Sequence, residues 1–266
     1  MHPTLVTLEL GGVARPLSSY GALLAVAVVV GGLSVARAAT RNGLELGAVV
    51  AIVASTVGAG FVGARALFVV VEAFRGGDWR SAIALGGLVA LGAPLGGLPA
   101  LWLLCRRFAI PMGRLADLAV PALAQAHAMG RLGCFLAGCC FGAPAGDDVG
   151  AALAVRYDDA LAAATALGPV DRHPVQLYES AGLLALALAF HLAPVRALDG
   201  RRALAYAVGY AVLRLGTESV RGDVVRGIAF EVASTSQIAS GALGLAALVG
   251  LVVVSRRARV AREASR

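Results

Sequence analysis

Seven stretches of this chain, near residues 17–36, 46–72, 82–104, 116–137, 174–194, 203–219 and 231–255, are almost wholly apolar. About 20 such residues are enough for a helix to cross the hydrocarbon layer of a bilayer. Within that layer the protein itself must satisfy every backbone N–H and C=O, and for runs of this length the helix does so. The sequence therefore predicts an all-α, polytopic membrane protein with seven transmembrane helices, forming a single integral membrane domain over residues 1–266. Composition agrees. With 59% hydrophobic residues and a mean hydropathy of +0.80, the chain is more apolar than a soluble domain. Ala36-Arg37-Ala38 imitates a signal-peptidase site, but the run from Leu17 to Ala36 is long for a signal core and only Arg15 lies just before it. It is read as the first span.

The 23 basic residues are all arginine, and the net charge is +7. Without a clustered basic face on a soluble surface, this excess does not make a nucleic-acid binder. Arginines in short loops report topology instead. Arg37, Arg41, Arg106, Arg107, Arg114, Arg196, Arg201, Arg202 and those of the 256–266 tail fall on one side of the predicted spans. That side is expected to be cytoplasmic, which places the N-terminus outside and the C-terminus inside. The tail would anchor to anionic headgroups. The polar segment 143–172, with Asp147, Asp148, Asp158, Asp159 and Asp171, is expected on the outer face as a lid, a partner-binding loop or a plain connector. Pro94 and Pro99 predict a kink and close small-residue contact in the third span. Gly133, Gly138 and Gly142 predict that the fourth loosens before it leaves the membrane.

Charges inside spans mark a substrate path or a partner. Arg131 is the main candidate: its planar guanidinium can hold a phosphate through two parallel hydrogen bonds, or an ion pair in the bundle. His127, four residues earlier, shares its helix face and is either a general base or a hydrogen-bonded packing residue. Arg214 and Glu218 have the spacing of a helical ion pair, a strut in one reading. With Arg221, Asp223 and Arg226 following, the other reading is an anionic headgroup site at the outer leaflet. His173-Pro-Val-Gln-Leu-Tyr-Glu179 opens the fifth span, and capping by Pro174 and Glu179 explains it locally. Tyr20 suits a membrane interface. Cys105 is a helix-end thiol. Cys134, Cys139 and Cys140 lack zinc-ribbon spacing, so no metal is expected, and an outward disulfide or small-residue packing fits better. No inverted repeat suggests a transporter.

Gly130-Arg-Leu-Gly-Cys-Phe-Leu-Ala-Gly-Cys-Cys-Phe-Gly142 resembles the signature of the prolipoprotein diacylglyceryl transferases. His173-Pro-Val-Gln-Leu-Tyr-Glu179 is similar to their second motif, and Arg214-Leu-Gly-Thr-Glu218-Ser-Val-Arg221-Gly-Asp223 to their third. Tyr20-Gly21 and Arg65 fall where that family has a tyrosine and an arginine, so the resemblance covers nearly the whole chain. It implies a multi-pass enzyme of the bacterial inner membrane with no cofactor. The enzyme would move the diacylglyceryl group of phosphatidylglycerol to the lipobox cysteine of a prolipoprotein signal peptide and release glycerol phosphate. Arg131, with Arg214 or Arg221, would hold the phosphate, and Glu218 would orient an arginine or the glycerol hydroxyl. Tyr20, Arg65, Cys134, Cys139, His173, Gln176, Tyr178 and Glu179 would fall to substrate binding.

Three positions depart from the family pattern. Its usual His-Gly-Gly of the third span falls on Leu91-Gly92-Ala93, its frequent asparagine on Cys134 and its frequent glutamate on Cys139. His127 is therefore expected to supply the base. These departures leave two other readings open: a paralogue with another acceptor, and a non-catalytic protein that binds phospholipid or lipoprotein.

Overall fold

A computed structural model describes residues 4–10, 13–85, 87–146, 151–157, 170–193, 198–221, 228–229 and 233–263. Among them are eight α-helices: α1 Ser19–Arg41, α2 Leu46–Phe74, α3 Trp79–Leu85, α4 Gly92–Arg107, α5 Met112–Leu136, α6 Val175–Leu192, α7 Arg201–Glu218 and α8 Thr235–Glu263. Four segments are long and apolar enough to cross a membrane: α1, α2, α6 and residues Gln237–Val260 of α8. Of the other long helices, α4 has only 16 residues, and α5 and α7 carry Arg131 and Arg214. Large apolar side chains stand exposed along the four, among them Val29, Val62, Leu188 and Leu245. A soluble surface seldom shows such continuous stripes, and lipid is the natural solvent for them.

The chain forms two compact units, one of residues 32–119 and one of residues 1–31 with 120–266. In the first, α2 and α4 pack almost backbone to backbone. A Cβ on Gly92 would strike the Gly63 carbonyl, and one on Gly96 the Ala59 carbonyl. The small-residue contact expected for this span is present. Its break, however, lies upstream of both prolines, between α3 and α4. Pro94 sits in the first turn of α4, where a missing N–H costs little. Arg65 donates to the carbonyls of Ala82, Ile83 and Gly87, while Val89 N–H donates to the Ala64 carbonyl at 3.0 Å. The break thus has its polar backbone satisfied by α2. Asp78 starts α3 by accepting from the backbone of Arg80 and Ser81, and those hydrogen bonds hold its carboxyl below the usual range.

The core of the second unit joins α5, α6 and α7 through Val120, Ala124, Ala128, Leu183, Ala187 and Tyr206. The buried stripe of α6 runs Gln176, Glu179, Ser180, Leu183, Ala187, a helical spacing whose first turns are polar. Ser180 Oγ donates to the Ala128 carbonyl at 3.2 Å, tying α6 to α5.

Among the described residues, three antiparallel strand pairs accompany the helices. Strands β1 (Thr4–Leu10) and β2 (Val13–Ser18) pair antiparallel, with Thr7 opposite Pro16. The alternation of Thr4 to Leu10 before Gly11-Gly12 carries this signal, which the apolar-run reading passes over. Strand β3 (Val155–Arg156) pairs β4 (Asp171–Arg172), and β5 (Ile228–Ala229) pairs β6 (Ala233–Ser234). One further expectation is corrected. Helix α5 continues through Gly133, whose missing side chain admits Tyr20 instead: a Cβ there would sit 3.3 Å from the Tyr20 Cα. The basic tail is helical through Arg256, Arg257 and Arg259, and Arg259 pairs Glu263 one turn on at 2.9 Å.

Candidate active site: three arginines on one buried carboxylate

Glu179, in the first turns of α6, is 1% exposed and is the hub of the second unit. Arg131 of α5 approaches its Oε2 through Nε at 2.5 Å. Arg214 of α7 donates to its Oε1 at 2.9 Å, and Arg221, just beyond α7, donates to the same oxygen at 3.1 Å. Thr217 Oγ1 adds a fourth contact at 3.1 Å. Glu218 Oε2 lies 2.7 Å from Arg214, the pair expected from their spacing. Three arginines therefore face two glutamates, and the cluster holds one positive charge in excess among the described residues. Asp223 and Arg226 lie outside those residues, as do Asp147, Asp148, Asp158 and Asp159.

The arginines are not equivalent. The side chains of Arg214 and Arg221 are 4% and 3% exposed, against 16% for Arg131. Arg131 meets Glu179 through Nε in an ion pair that lacks hydrogen-bond geometry, and among the described residues its terminal amino groups form no ion pair with a carboxylate. One guanidinium fork thus stays available in a water-poor setting, where a charge-assisted contact is strongest. His127, one turn before Arg131, sits in an aromatic recess. Its Nδ1 is 3.5 Å from the Tyr206 hydroxyl, and its ring centroid is 4.8 Å from that of Tyr210.

Three chain segments are tied together beside the hub. Gly142 N–H donates to the His173 carbonyl at 2.9 Å, His173 N–H to the Ala143 carbonyl at 3.1 Å, and Ala143 N–H to the Val220 carbonyl at 2.9 Å. Gly142 is glycine because a Cβ there would lie 2.7 Å from His173 and Val175. His173 Nδ1 and the Tyr178 hydroxyl are 3.4 Å apart. Gln176 donates to the Cys139 carbonyl at 2.6 Å and accepts from the Tyr157 hydroxyl at 3.1 Å. Burial pushes the Tyr157 phenol up to about 12. Arg172 lies over the Phe141 ring at 5.2 Å.

None of the four cysteines is disulfide-bonded, so the outward disulfide offered by the sequence is not formed. Cys139 Sγ donates to the Cys134 carbonyl at 3.6 Å instead. Thiol hydrogen bonds to Cys134 and then Cys140, with burial after them, hold the Cys139 thiol far above its ordinary range.

The fold thus brings together Arg131, Arg214, Arg221, Glu179 and Glu218, with His127, Tyr20, Cys134, Cys139, His173, Gln176 and Tyr178 in the same unit. Arg65 belongs to the other unit, where it holds the broken span. The residues alone suggest a local capping role for Glu179 and the family resemblance a part in substrate binding, but neither makes it the hub, and Thr217, Ser180 and Tyr157 are passed over. The signal was the 176, 179, 180 polar spacing on an otherwise apolar helix.

A family model described as prolipoprotein diacylglyceryl transferase matches residues 6–253. The chain belongs to that family. Similar proteins named phosphatidylglycerol–prolipoprotein diacylglyceryl transferase include one from Synechococcus elongatus, 34% identical over 94% of this chain and 88% of its own length. One from Clostridium tetani is 29% identical over 77% of this chain and 80% of its own. Another, from Gloeobacter violaceus, is 32% identical over 73% and 72%. The residues described above, from Tyr20 to Arg221, fall inside the matched residues.

Proposed function

We propose that this chain transfers the diacylglyceryl group of phosphatidylglycerol to the lipobox cysteine thiol of a prolipoprotein signal peptide. The observation that carries the reading is the charge of the buried cluster: among the described residues it holds one positive charge in excess, and the terminal amino groups of Arg131 form no ion pair with a carboxylate. A phosphodiester has one negative charge and two oxygens for that fork, so charge and geometry both match. As the thiol sulfur attacks the glyceryl carbon and the C–O bond breaks, the departing phosphate gains a second negative charge. Arg131 stabilises that charge, with Arg214 and Arg221 behind it and Glu218 fixing Arg214. His127, one turn away, takes the thiol proton. Tyr20, Cys134, Cys139, His173, Gln176, Tyr178 and Glu179 complete the substrate-binding set, mostly by fixing backbone or arginines, while Arg65, also assigned to substrate binding by the family resemblance, serves within its own unit by holding the break before α4.

The reaction belongs in the bacterial inner membrane. One integral domain of seven spans, with the N-terminus outside and the C-terminus in the cytoplasm, follows from the arginine-bearing loops. Leu91, Cys134 and Cys139, which depart from the family pattern, favour a second reading: a paralogue serving another acceptor.

Purified protein, phosphatidylglycerol and a lipobox peptide, followed by mass spectrometry, separate the readings. The proposal expects diacylglyceryl-peptide. Lipid consumed without peptide product would assign another acceptor, and lipid bound without turnover would make the protein a non-catalytic binder. In cells depleted of their own transferase, full rescue by His127→Ala would remove His127 as the base.

A further inference from the structure

Three thiols beside a phosphate site need a reason of their own. Cys134 lies in the last turn of α5, and Cys139 and Cys140 follow the end of that helix at Leu136. Adjacent side chains in extended backbone point to opposite faces. Here Gly138 and Cys140 have φ of 70° and 64°, and the chain reverses within two residues. The three Sγ atoms all come within 4.8 Å of one another. A left-handed conformation at a non-glycine residue persists only where its surroundings enforce it. They do so here: Cys139 N–H donates to the Cys134 carbonyl at 3.0 Å, and buried Gln176 grips the Cys139 carbonyl while Tyr157 holds Gln176.

We propose that Cys134, Cys139 and Cys140 form a three-thiolate site for a thiophilic divalent cation of the zinc type, with its fourth position open to a substrate thiol. The C-x4-C-C spacing is wrong for a closed zinc ribbon, yet sites that act on substrates use three protein ligands and leave the fourth position free. At a zinc–sulfur bond of about 2.3 Å the ligand sulfurs stand roughly 3.8 Å apart, so the trio needs to close by only about an ångström. A disulfide would use two sulfurs and strand the third, whereas a metal ion uses all three. Soft thiolate donors select such a cation over magnesium or calcium. Cys139 is exposed and the other two half-buried, which leaves an approach from outside. Arg131, three residues before Cys134 on the same helix face, offsets the negative charge of the loaded site. Gln176 plays the outer-shell part that orients ligands in metal sites.

On loading, three S–H bonds lose their protons and three metal–sulfur bonds form, with no change of oxidation state. The use of the open position rests on the transferase reading. The incoming cysteine binds through sulfur and releases its proton. The new C–S bond then forms as the glyceryl C–O bond breaks, and the electron pair leaves on the phosphate oxygen. A metal-bound thiol is deprotonated near neutral pH, so the ion shares the task given to His127.

The test uses full-length protein in detergent, kept reduced and titrated with Co(II) as a coloured stand-in for Zn(II), with metal content measured after zinc loading. One ion per chain and a thiolate-to-cobalt charge-transfer band are expected, both retained in Cys105→Ser. Single Cys134→Ser, Cys139→Ser and Cys140→Ser variants lose the band, and Gln176→Ala weakens binding about 10- to 100-fold. No band in folded wild type, or the same band in the triple serine variant, overturns the site. A cysteine-bearing lipobox peptide should shift the cobalt spectrum while its serine analogue does not, and an unmoved spectrum overturns the substrate role. Diacylglyceryl-peptide formed equally by metal-free protein sinks that role and leaves the transferase reading standing. Absence of product from metal-loaded protein counts against the transferase reading, and the cobalt band still judges the site.

Discussion

The two compact units hold their helices together by opposite means. In residues 32–119, α2 and α4 meet through Gly60, Gly63, Gly92, Gly96 and Gly97, where removing side chains lets backbones touch. In the other unit, α5, α6 and α7 meet around Glu179, a carboxylate gripped by Arg131, Arg214 and Arg221. Close packing of small residues needs no charge and suits an apolar solvent. Burying three guanidinium groups carries a large desolvation cost, and an isolated apolar contact would hold helices as well without it. The unit that bears this cost is the one with a use for it, because an excess arginine can receive an anion.

Breaking the hub should have the largest effect. Glu179→Gln keeps the shape but leaves three arginines facing Glu218 alone, and it should lower unfolding stability by about 3–5 kcal/mol. Thermal unfolding in detergent checks this; an unchanged midpoint would mean the arginines are paired elsewhere. The corresponding change in the first unit is steric. Gly92→Ala drives a methyl into the Gly63 carbonyl and should cost about 1–3 kcal/mol through separation of α2 and α4. It should leave lipid-phosphate binding in the surviving folded protein intact, and a selective loss of binding would erase the contrast between the units. The smallest effect belongs to Ser180→Ala. It removes one hydrogen bond from α6 to the Ala128 carbonyl, and about 1 kcal/mol is expected by the same unfolding measurement.

How much of this was legible in the sequence follows the same division. The glycine contact was, because Gly92-Ala-Pro-Leu-Gly-Gly names its small residues in order. Arg131 was too, since a charge in an apolar run needs an explanation wherever it folds. Glu179 was not given its place, because beside Pro174 a local role at a helix start accounts for it and nothing local reveals three arginines arriving from α5, α7 and the chain beyond. The position of the break between α3 and α4 depends on Arg65 reaching back from α2 to carbonyls 17 to 22 residues away. The thiol cluster rests on the left-handed turn at Cys140, a residue type that gives no warning of positive φ.

The central claim is that the free fork of Arg131 receives the lipid phosphate while Arg214 and Arg221 hold the carboxylate. Arg131→Ala tests it most directly, with phosphatidylglycerol turnover to a lipobox peptide and thermal unfolding measured on the same preparation. The account predicts a folded protein, since Glu179 keeps two arginines and Thr217, with turnover reduced about 10²- to 10³-fold. Wild-type turnover in that folded variant would contradict it.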